Sequence, residues 1–161
     1  MGMDCIPLDG NVEPFHANWG GWAFIMRTLL LAGVDLSEAS GTNDGQTVSA
    51  ETAMDWAKRL RELLSRKGPL RLRVAKYPDA LYHGGYNYVP VVDFTQADVE
   101  QRVLNKLQLG WEVSIQEQVS SYAWRIVPEK DIVVEELPKE DREFLLKLAR
   151  FCERSGGFAQ C

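Results

Sequence analysis

The sequence predicts an α+β fold in which about four helices pack on a small, mostly antiparallel sheet. Two observations lead to this fold class. Apolar residues recur at helical spacing in segments near both ends of the chain, and strand-like alternation of apolar and polar residues is concentrated in the middle. The 161 residues contain no internal repeat and no linker, so we expect one domain, residues 1–161.

The first two predicted helices have recognisable start and stop residues. Asn18 can cap a mostly apolar helix that ends at Gly33. Ser49 can cap a second helix, which ends before Pro69. The predicted buried stripe of this second helix consists of Ala53, Trp56, Ala57, Leu60, Leu63 and Leu64.

The middle of the chain predicts the sheet. Residues 70–77 alternate apolar with basic side chains, which is typical of a strand with one face in the core. Further strands are predicted at 86–94, 111–115, 122–127 and 132–134. A helix with its N-cap at Thr95 and its end at Gly110 is predicted between two of these strands.

The last predicted helix begins near Pro138, which suits the first turn of a helix, and ends before Gly156. Its apolar stripe consists of Phe144, Leu145, Leu148, Phe151 and Cys152. We therefore expect Cys152 to be an inert core thiol.

The cysteines and the N-terminal segment indicate the compartment. Cys5, Cys152 and Cys161 are an odd number at wide spacing without a CxxC pair, which favours a reducing environment. Residues 1–6 lack the basic and apolar regions of a signal peptide. The apolar segment 19–34 is too short for a bilayer and contains Arg27. A cytoplasmic protein without a membrane partner is expected.

The stretch SGTNDGQTVSAE, residues 40–51, matches part of a calcium-binding loop. Gly45 and Glu51 stand where an EF-hand has its glycine and its bidentate glutamate. The early carboxylate positions are occupied by Ser40 and Thr42, which leaves too little charge for a hard dication. The sequence therefore predicts a turn followed by a helix that Ser49 caps, and no metal site.

Basic residues are concentrated in one part of an acidic chain. Eight basic residues and one acid lie between Trp56 and Lys76, although the formal net charge of the chain is -5. Tyrosines follow closely in the sequence. We predict a partner-binding surface formed by Lys58, Arg59, Arg66, Arg71, Arg73, Tyr77 and Tyr82. An alternative is that the acidic stretch 129–143 lies over the basic residues within the same molecule.

A second candidate is a ligand cluster of His16, Trp19 and Trp22, which lie on both sides of a glycine pair. Glycines weaken the start of a helix, and such a cost can indicate close approach of a ligand. No carboxylate lies near His16 in the sequence to orient its ring, so the cluster favours a binding surface over a catalytic centre. Core packing is the alternative interpretation.

Three classes of function follow from these observations. The first is a non-enzymatic binding or regulatory protein, such as an immunity-like module, that engages a protein partner by charge complementarity. The second is single-stranded nucleic-acid binding by residues 58–76 with the nearby tyrosines. The third is a hydrolase or ligand-binding enzyme that uses His16 or His83. No motif indicates a cofactor.

Three segments also resemble a group of uncharacterised bacterial proteins. They are NWGGWAFIMRTLLLAG, NDGQTVSAETAMDWAKRL and FLLKLARFCERSGGF, and that group shares an NDG turn followed by a capped helix and a C-terminal helix with FC and GGF. Residues 67–141 depart from the pattern of the group. The resemblance implies a bacterial cytoplasmic origin and a shared scaffold, and it brings no activity, cofactor or catalytic residue.

Overall fold

A computed structural model describes residues 2–41, 43–65, 71–76, 88–90, 111–113, 124–126 and 132–161. These residues form three helices, α1 (Trp19–Leu31), α2 (Ala50–Leu64) and α3 (Lys139–Arg154), together with nine strands. The predicted α+β class is therefore confirmed. The helix predicted at 95–110 lies outside the described residues.

The largest sheet has four strands, β1 (Gly2–Pro7), β2 (Phe15–Asn18), β3 (Gln46–Val48) and β9 (Phe158–Gln160). Their order is β2-β1-β9-β3, and every pair of neighbours is antiparallel. The sequence did not predict any of these four strands. The sheet joins the two ends of the described chain, because β9 lies between β1 and β3.

The strands in the middle of the chain overlap the predicted ones. In sheet order β5-β4-β8, strand β4 (Arg71–Lys76) pairs antiparallel with β5 (Tyr88–Pro90) and with β8 (Ile132–Glu136). Strands β6 (Trp111–Val113) and β7 (Trp124–Ile126) pair parallel. The described strand pairs are therefore mostly antiparallel, as predicted, with one parallel exception.

The core lies between one face of the four-stranded sheet and the apolar faces of α2 and α3, and α1 contributes buried side chains such as that of Trp22 to it. Phe151 on α3 has its ring centroid 5.8 Å from Phe15 on β2 and 5.3 Å from Phe158 on β9. Trp56 on α2 meets Phe158 edge to face at 5.7 Å. All six residues of the stripe predicted on α2 are buried.

The helix boundaries follow from the predicted capping residues. The side chain of Asn18 accepts from the Gly21 amide at 2.7 Å, and that of Ser49 accepts from the Thr52 amide at 3.2 Å. Gly33 has a φ of 81°, a conformation that favours glycine after a helix. Of the described helices, none is long and apolar enough to span a bilayer.

The outer face of the four-stranded sheet carries polar and apolar side chains. Alternation along β1 buries Met3 and Cys5 and exposes Asp4 and Ile6. On β2, His16 is exposed between two buried neighbours. This face therefore positions side chains that the sequence places far apart.

Candidate functional site

The stretch 40–51 forms the turn that its sequence predicts. Gly45 has a φ of 84°, and Oδ1 of Asp44 accepts from Ser40 Oγ and from the Gln46 amide, both at 3.1 Å. The helix that Ser49 caps follows directly. The turn and the cap are thus confirmed, while Thr42 lies outside the described residues.

A buried glutamine fixes this turn against the sheet. Oε1 of Gln160 accepts from the Ser40 amide at 2.8 Å, and its Nε2 donates to the carbonyls of Glu38 at 2.9 Å and Gln46 at 3.0 Å. Gln160 is fully buried, so these hydrogen bonds satisfy an amide that would otherwise be costly to bury. No local pattern around Gln160 indicated this role.

Lys58 and Arg59, two residues of the predicted partner surface, lie exposed on α2. Arg59 Nε lies 3.3 Å from both carboxylate oxygens of Asp55, one turn earlier. Arg61, which belongs to the same basic stretch, forms an ion pair with Glu153 of α3. Part of the basic charge of α2 is therefore balanced within the molecule.

An open depression of about 620 Å³ lies beside Lys58. Its lining consists of Asp35, Ser37, Glu51, Thr52, Met54, Asp55 and Lys58. Met54 is 51% exposed, although it is a large apolar residue. Met54 was not among the predicted site residues, because a methionine on the polar side of an amphipathic helix does not by itself indicate a binding site.

The other residues predicted for the partner surface are only partly described. Arg71 and Arg73 lie in β4, where their cross-strand partners in β8 are Glu136 and Val134. The strand of the basic segment is therefore paired with a strand of the acidic stretch 129–143, which brings Glu136 opposite Arg71. Arg66, Tyr77 and Tyr82 lie outside the described residues.

The ligand cluster predicted from His16, Trp19 and Trp22 does not form one exposed surface. Trp22 is fully buried in the core, and its Nε1 donates to the Ser40 carbonyl at 2.8 Å. The His16 side chain is 59% exposed on the sheet. Trp19 is the first residue of α1. The alternative interpretation, core packing, is therefore correct for Trp22.

His16 has a carboxylate partner that the sequence analysis missed. Pairing of β1 with β2 places Asp4 opposite His16, and the His16 Nδ1 lies 2.5 Å from Asp4 Oδ1. On the other side of Asp4, the Cys161 amide and carbonyl form a pair of 2.8 Å hydrogen bonds with the Asp4 backbone. The expectation that no carboxylate orients His16 was wrong, because strand pairing brings together residues twelve positions apart.

The Asp4–His16 pair has the arrangement of a general base and its orienting carboxylate. A second depression, of about 570 Å³, lies between α3 and the loop that joins β1 to β2. His16 lines neither this depression nor the one beside Met54. Across the described ranges, no three His, Cys, Asp or Glu side chains are grouped as a metal site would require. His83 lies outside these ranges.

The buried cysteines are core thiols. Cys152 is 1% exposed, and burial raises the pKa of its thiol to about 12. Burial also raises the pKa of the fully buried Cys5. The nucleophilic thiolate is therefore scarce near neutral pH at both positions, which agrees with the predicted role of Cys152.

A comparison of the chain with protein-family models, with curated proteins and with solved structures found no match. The function is therefore inferred from the geometry of the described residues. The resemblance to the bacterial group with the NDG turn stays a prediction.

Proposed function

We propose that this chain is a non-enzymatic binding protein of the bacterial cytoplasm that engages a protein partner through one side of α2. The Met54 surface consists of Met54, Asp55, Lys58 and Arg59, with Asp35 and Glu51 at its rim. The observation that carries the proposal is the 51% exposure of Met54 within a depression that charged side chains surround. An immunity-like or regulatory role is the form of function that such a surface suits.

The apolar part of the surface supplies affinity. Fully burying an exposed methionine side chain contributes about 1.5–3 kcal/mol, and Met54 is 51% exposed, so a partner that covers it gains about half of this. Methionine is enriched in the centres of protein interfaces, and Met54 lies inside a depression with charged side chains around it. The backbone of α2 is already ordered, so the entropy cost on binding is that of the Met54 side chain, about 0.5–1.5 kcal/mol.

The charged part of the surface supplies selectivity. Asp35 and Glu51 contribute carboxylates to the lining of the depression, and Lys58 contributes an ammonium group. Lys58 forms no ion pair with a residue that the structure describes. A partner with a carboxylate opposite Lys58 and cations opposite the two acids would be complementary to this pattern.

Photo-crosslinking from position 54 tests the proposal. A benzophenone amino acid replaces Met54, and a second chain carries it at Ile6, which is 41% exposed on the outer face of the four-stranded sheet. Both chains are irradiated in an extract of the host organism. We expect a protein that is captured from position 54 and not from position 6.

The affinity of the captured, purified partner is then measured against substituted chains. Met54→Ser and Lys58→Glu should each weaken binding about tenfold, which corresponds to about 1.4 kcal/mol. Ile6→Ser should leave the affinity unchanged. Equal capture from both positions, or equal affinities for all chains, would contradict the proposal. Capture of nucleic acid in place of protein would favour the alternative function of residues 58–76.

A further inference from the structure

The second depression carries a separate group of cations. Its α3 side is formed by Lys147, Arg150, Phe151 and Arg154, and its loop side by Asp9, Asn11, Val12 and Glu13. We call Lys147, Arg150 and Arg154 the α3 basic face. Their spacing of three and four residues places all three on one side of the helix, where each is exposed.

The cations of the α3 basic face form no ion pair with the described parts of the chain, whereas Arg59 and Arg61 on α2 each pair with a carboxylate. Like charges three and four residues apart on a helix repel each other. An anionic group bound against this face would relieve the repulsion.

The depression is held in shape by backbone hydrogen bonds. The Leu8 amide donates to the Gly157 carbonyl and the Asp9 amide donates to the Ser155 carbonyl, both at 2.9 Å. These bonds fix the start of the β1–β2 loop against the turn that follows α3. Oδ1 of Asp9 accepts from the Asn11 amide at 2.9 Å, so this carboxylate stabilises the loop itself. A preorganised surface loses little entropy on binding.

Apolar side chains line the depression beside the cations. They belong to Phe151 of α3 and to the half-buried Val12 of the loop. Apolar surface beside three cations matches a segment with alternating aliphatic and acidic residues.

We propose that this depression binds an acidic, amphipathic segment of a partner protein. Carboxylates of the segment contact the α3 basic face, and its aliphatic side chains pack against Val12 and Phe151. Glu13 repels anions on the loop side, so the carboxylates lie along the helix. The site shares no residue with the Met54 surface, and neither proposal depends on the other.

Fluorescence anisotropy with three labelled peptides tests the proposal. The first probe is a twelve-residue peptide of alternating leucine and glutamate, and the other two carry glutamine or lysine in place of glutamate. We expect binding of the glutamate peptide that weakens with salt and at least about tenfold weaker binding of the glutamine peptide. No binding of the lysine peptide is expected.

Variants of the full chain locate the site. Arg150→Glu with Arg154→Glu should weaken binding of the glutamate peptide about tenfold or more, whereas Lys58→Glu with Met54→Ser should leave it unchanged. Glu13→Gln should strengthen binding a few fold, because it removes a repulsive carboxylate. Circular dichroism checks that each variant is folded, and Glu13→Gln retains the cations of α3.

The inference would be overturned if the glutamate peptide did not bind up to millimolar concentration. It would also be overturned if the glutamate and glutamine peptides bound equally. Equal affinity of the glutamate peptide for the wild type and the α3 double variant would likewise reject the proposed location. A labelled single-stranded oligonucleotide is measured in parallel. Tighter binding of the oligonucleotide, lost in the same double variant, would assign the face to nucleic acid and reject the acidic segment.

Discussion

Trp22 and Trp56 are both fully buried, yet their indole N–H groups have different surroundings. Nε1 of Trp22 donates to the Ser40 carbonyl, and Nε1 of Trp56 is the buried polar side-chain atom without a hydrogen-bond partner in the described parts of the chain. A buried polar group that lacks a partner costs about 1–3 kcal/mol. The indole nitrogens of the two tryptophans therefore contribute differently to the free energy of unfolding.

Replacing each tryptophan by phenylalanine should reveal this difference. Trp22→Phe loses ring volume together with a buried hydrogen bond, whereas Trp56→Phe loses ring volume together with an unsatisfied donor. We expect Trp22→Phe to lower the free energy of unfolding by about 1 kcal/mol or more beyond the loss in Trp56→Phe. Urea unfolding followed by circular dichroism measures both. An equal or larger loss in Trp56→Phe would contradict this expectation.

Single residues also show where the sequence was insufficient for the candidate sites. The exposure of Lys58 and Arg59 follows from the helical stripe opposite them, so it could be predicted. The Asp4–His16 pair depends on the register of β1 against β2, which no local pattern specifies. Met54 is exposed because α2 places it away from the core. Its identification as a candidate contact residue depends on the depression that surrounds it, which the sequence does not show.

At the scale of elements, the start of α2 is held by a carboxylate outside the helix. Oε2 of Glu38 accepts from the Ser49 amide at 2.7 Å, and Oε1 accepts from Ser49 Oγ at 3.2 Å. The amide hydrogen bond from Ser49 lowers the pKa of Glu38 from its usual value of 4.5. The ionised form of Glu38 is thus favoured in the folded chain.

This shift predicts a pH dependence of stability. A carboxyl group whose pKa is lowered by folding stabilises the folded state above its unfolded pKa, and the contribution is lost as the pH falls through the folded pKa. We expect Glu38→Gln to destabilise the chain at neutral pH and to lose less stability than the wild type below about pH 4.5. Thermal unfolding from pH 7 to pH 3 measures the difference.

Glu62→Gln is the matched control, because Glu62 is an exposed carboxylate on α2, the helix whose start Glu38 stabilises. Its unfolding temperatures should follow those of the wild type across the pH range. If the unfolding temperatures of Glu38→Gln and the wild type changed in parallel with pH, the hydrogen bond between Glu38 and Ser49 would make no pH-dependent contribution to stability.

The elements also differ in how well their sequences predicted them. The six buried residues of α2 repeat at helical spacing within one continuous segment, so local physics was enough to find them. Strands β3 and β9 have three residues each and β2 has four. Such short strands show no periodicity, and they form because distant segments pair with them. The helix predicted at 95–110 stays a prediction.

At the scale of the whole molecule, β9 is the central connection of the four-stranded sheet. The Asp4 backbone is hydrogen-bonded to Cys161, so alternation along the ladder makes Ile6 and Ala159 a hydrogen-bonded pair and Asp4 and His16 a non-hydrogen-bonded one. The His16 amide therefore points away from β1, at the edge of the sheet.

Proline substitutions at these two positions should have unequal effects. Ala159→Pro removes a ladder donor from an interior strand, whereas His16→Pro removes no ladder hydrogen bond and only an exposed side-chain hydrogen bond to Asp4. We expect the free energy of unfolding to fall by about 1–3 kcal/mol more in Ala159→Pro. Chemical denaturation of both chains provides the measurement. Similar losses would contradict the assigned position of β9 in the sheet.

The position of β9 also has a consequence for biosynthesis. Ribosomes make the chain from β1 onward, so β9 is the last of the described strands to leave the exit tunnel. Until then β1 and β3 each lack the neighbour between them, and unpaired strand edges attract chaperones and promote aggregation. A chain that stalls before Phe158 cannot complete this sheet, so its exposed edges would mark it for degradation.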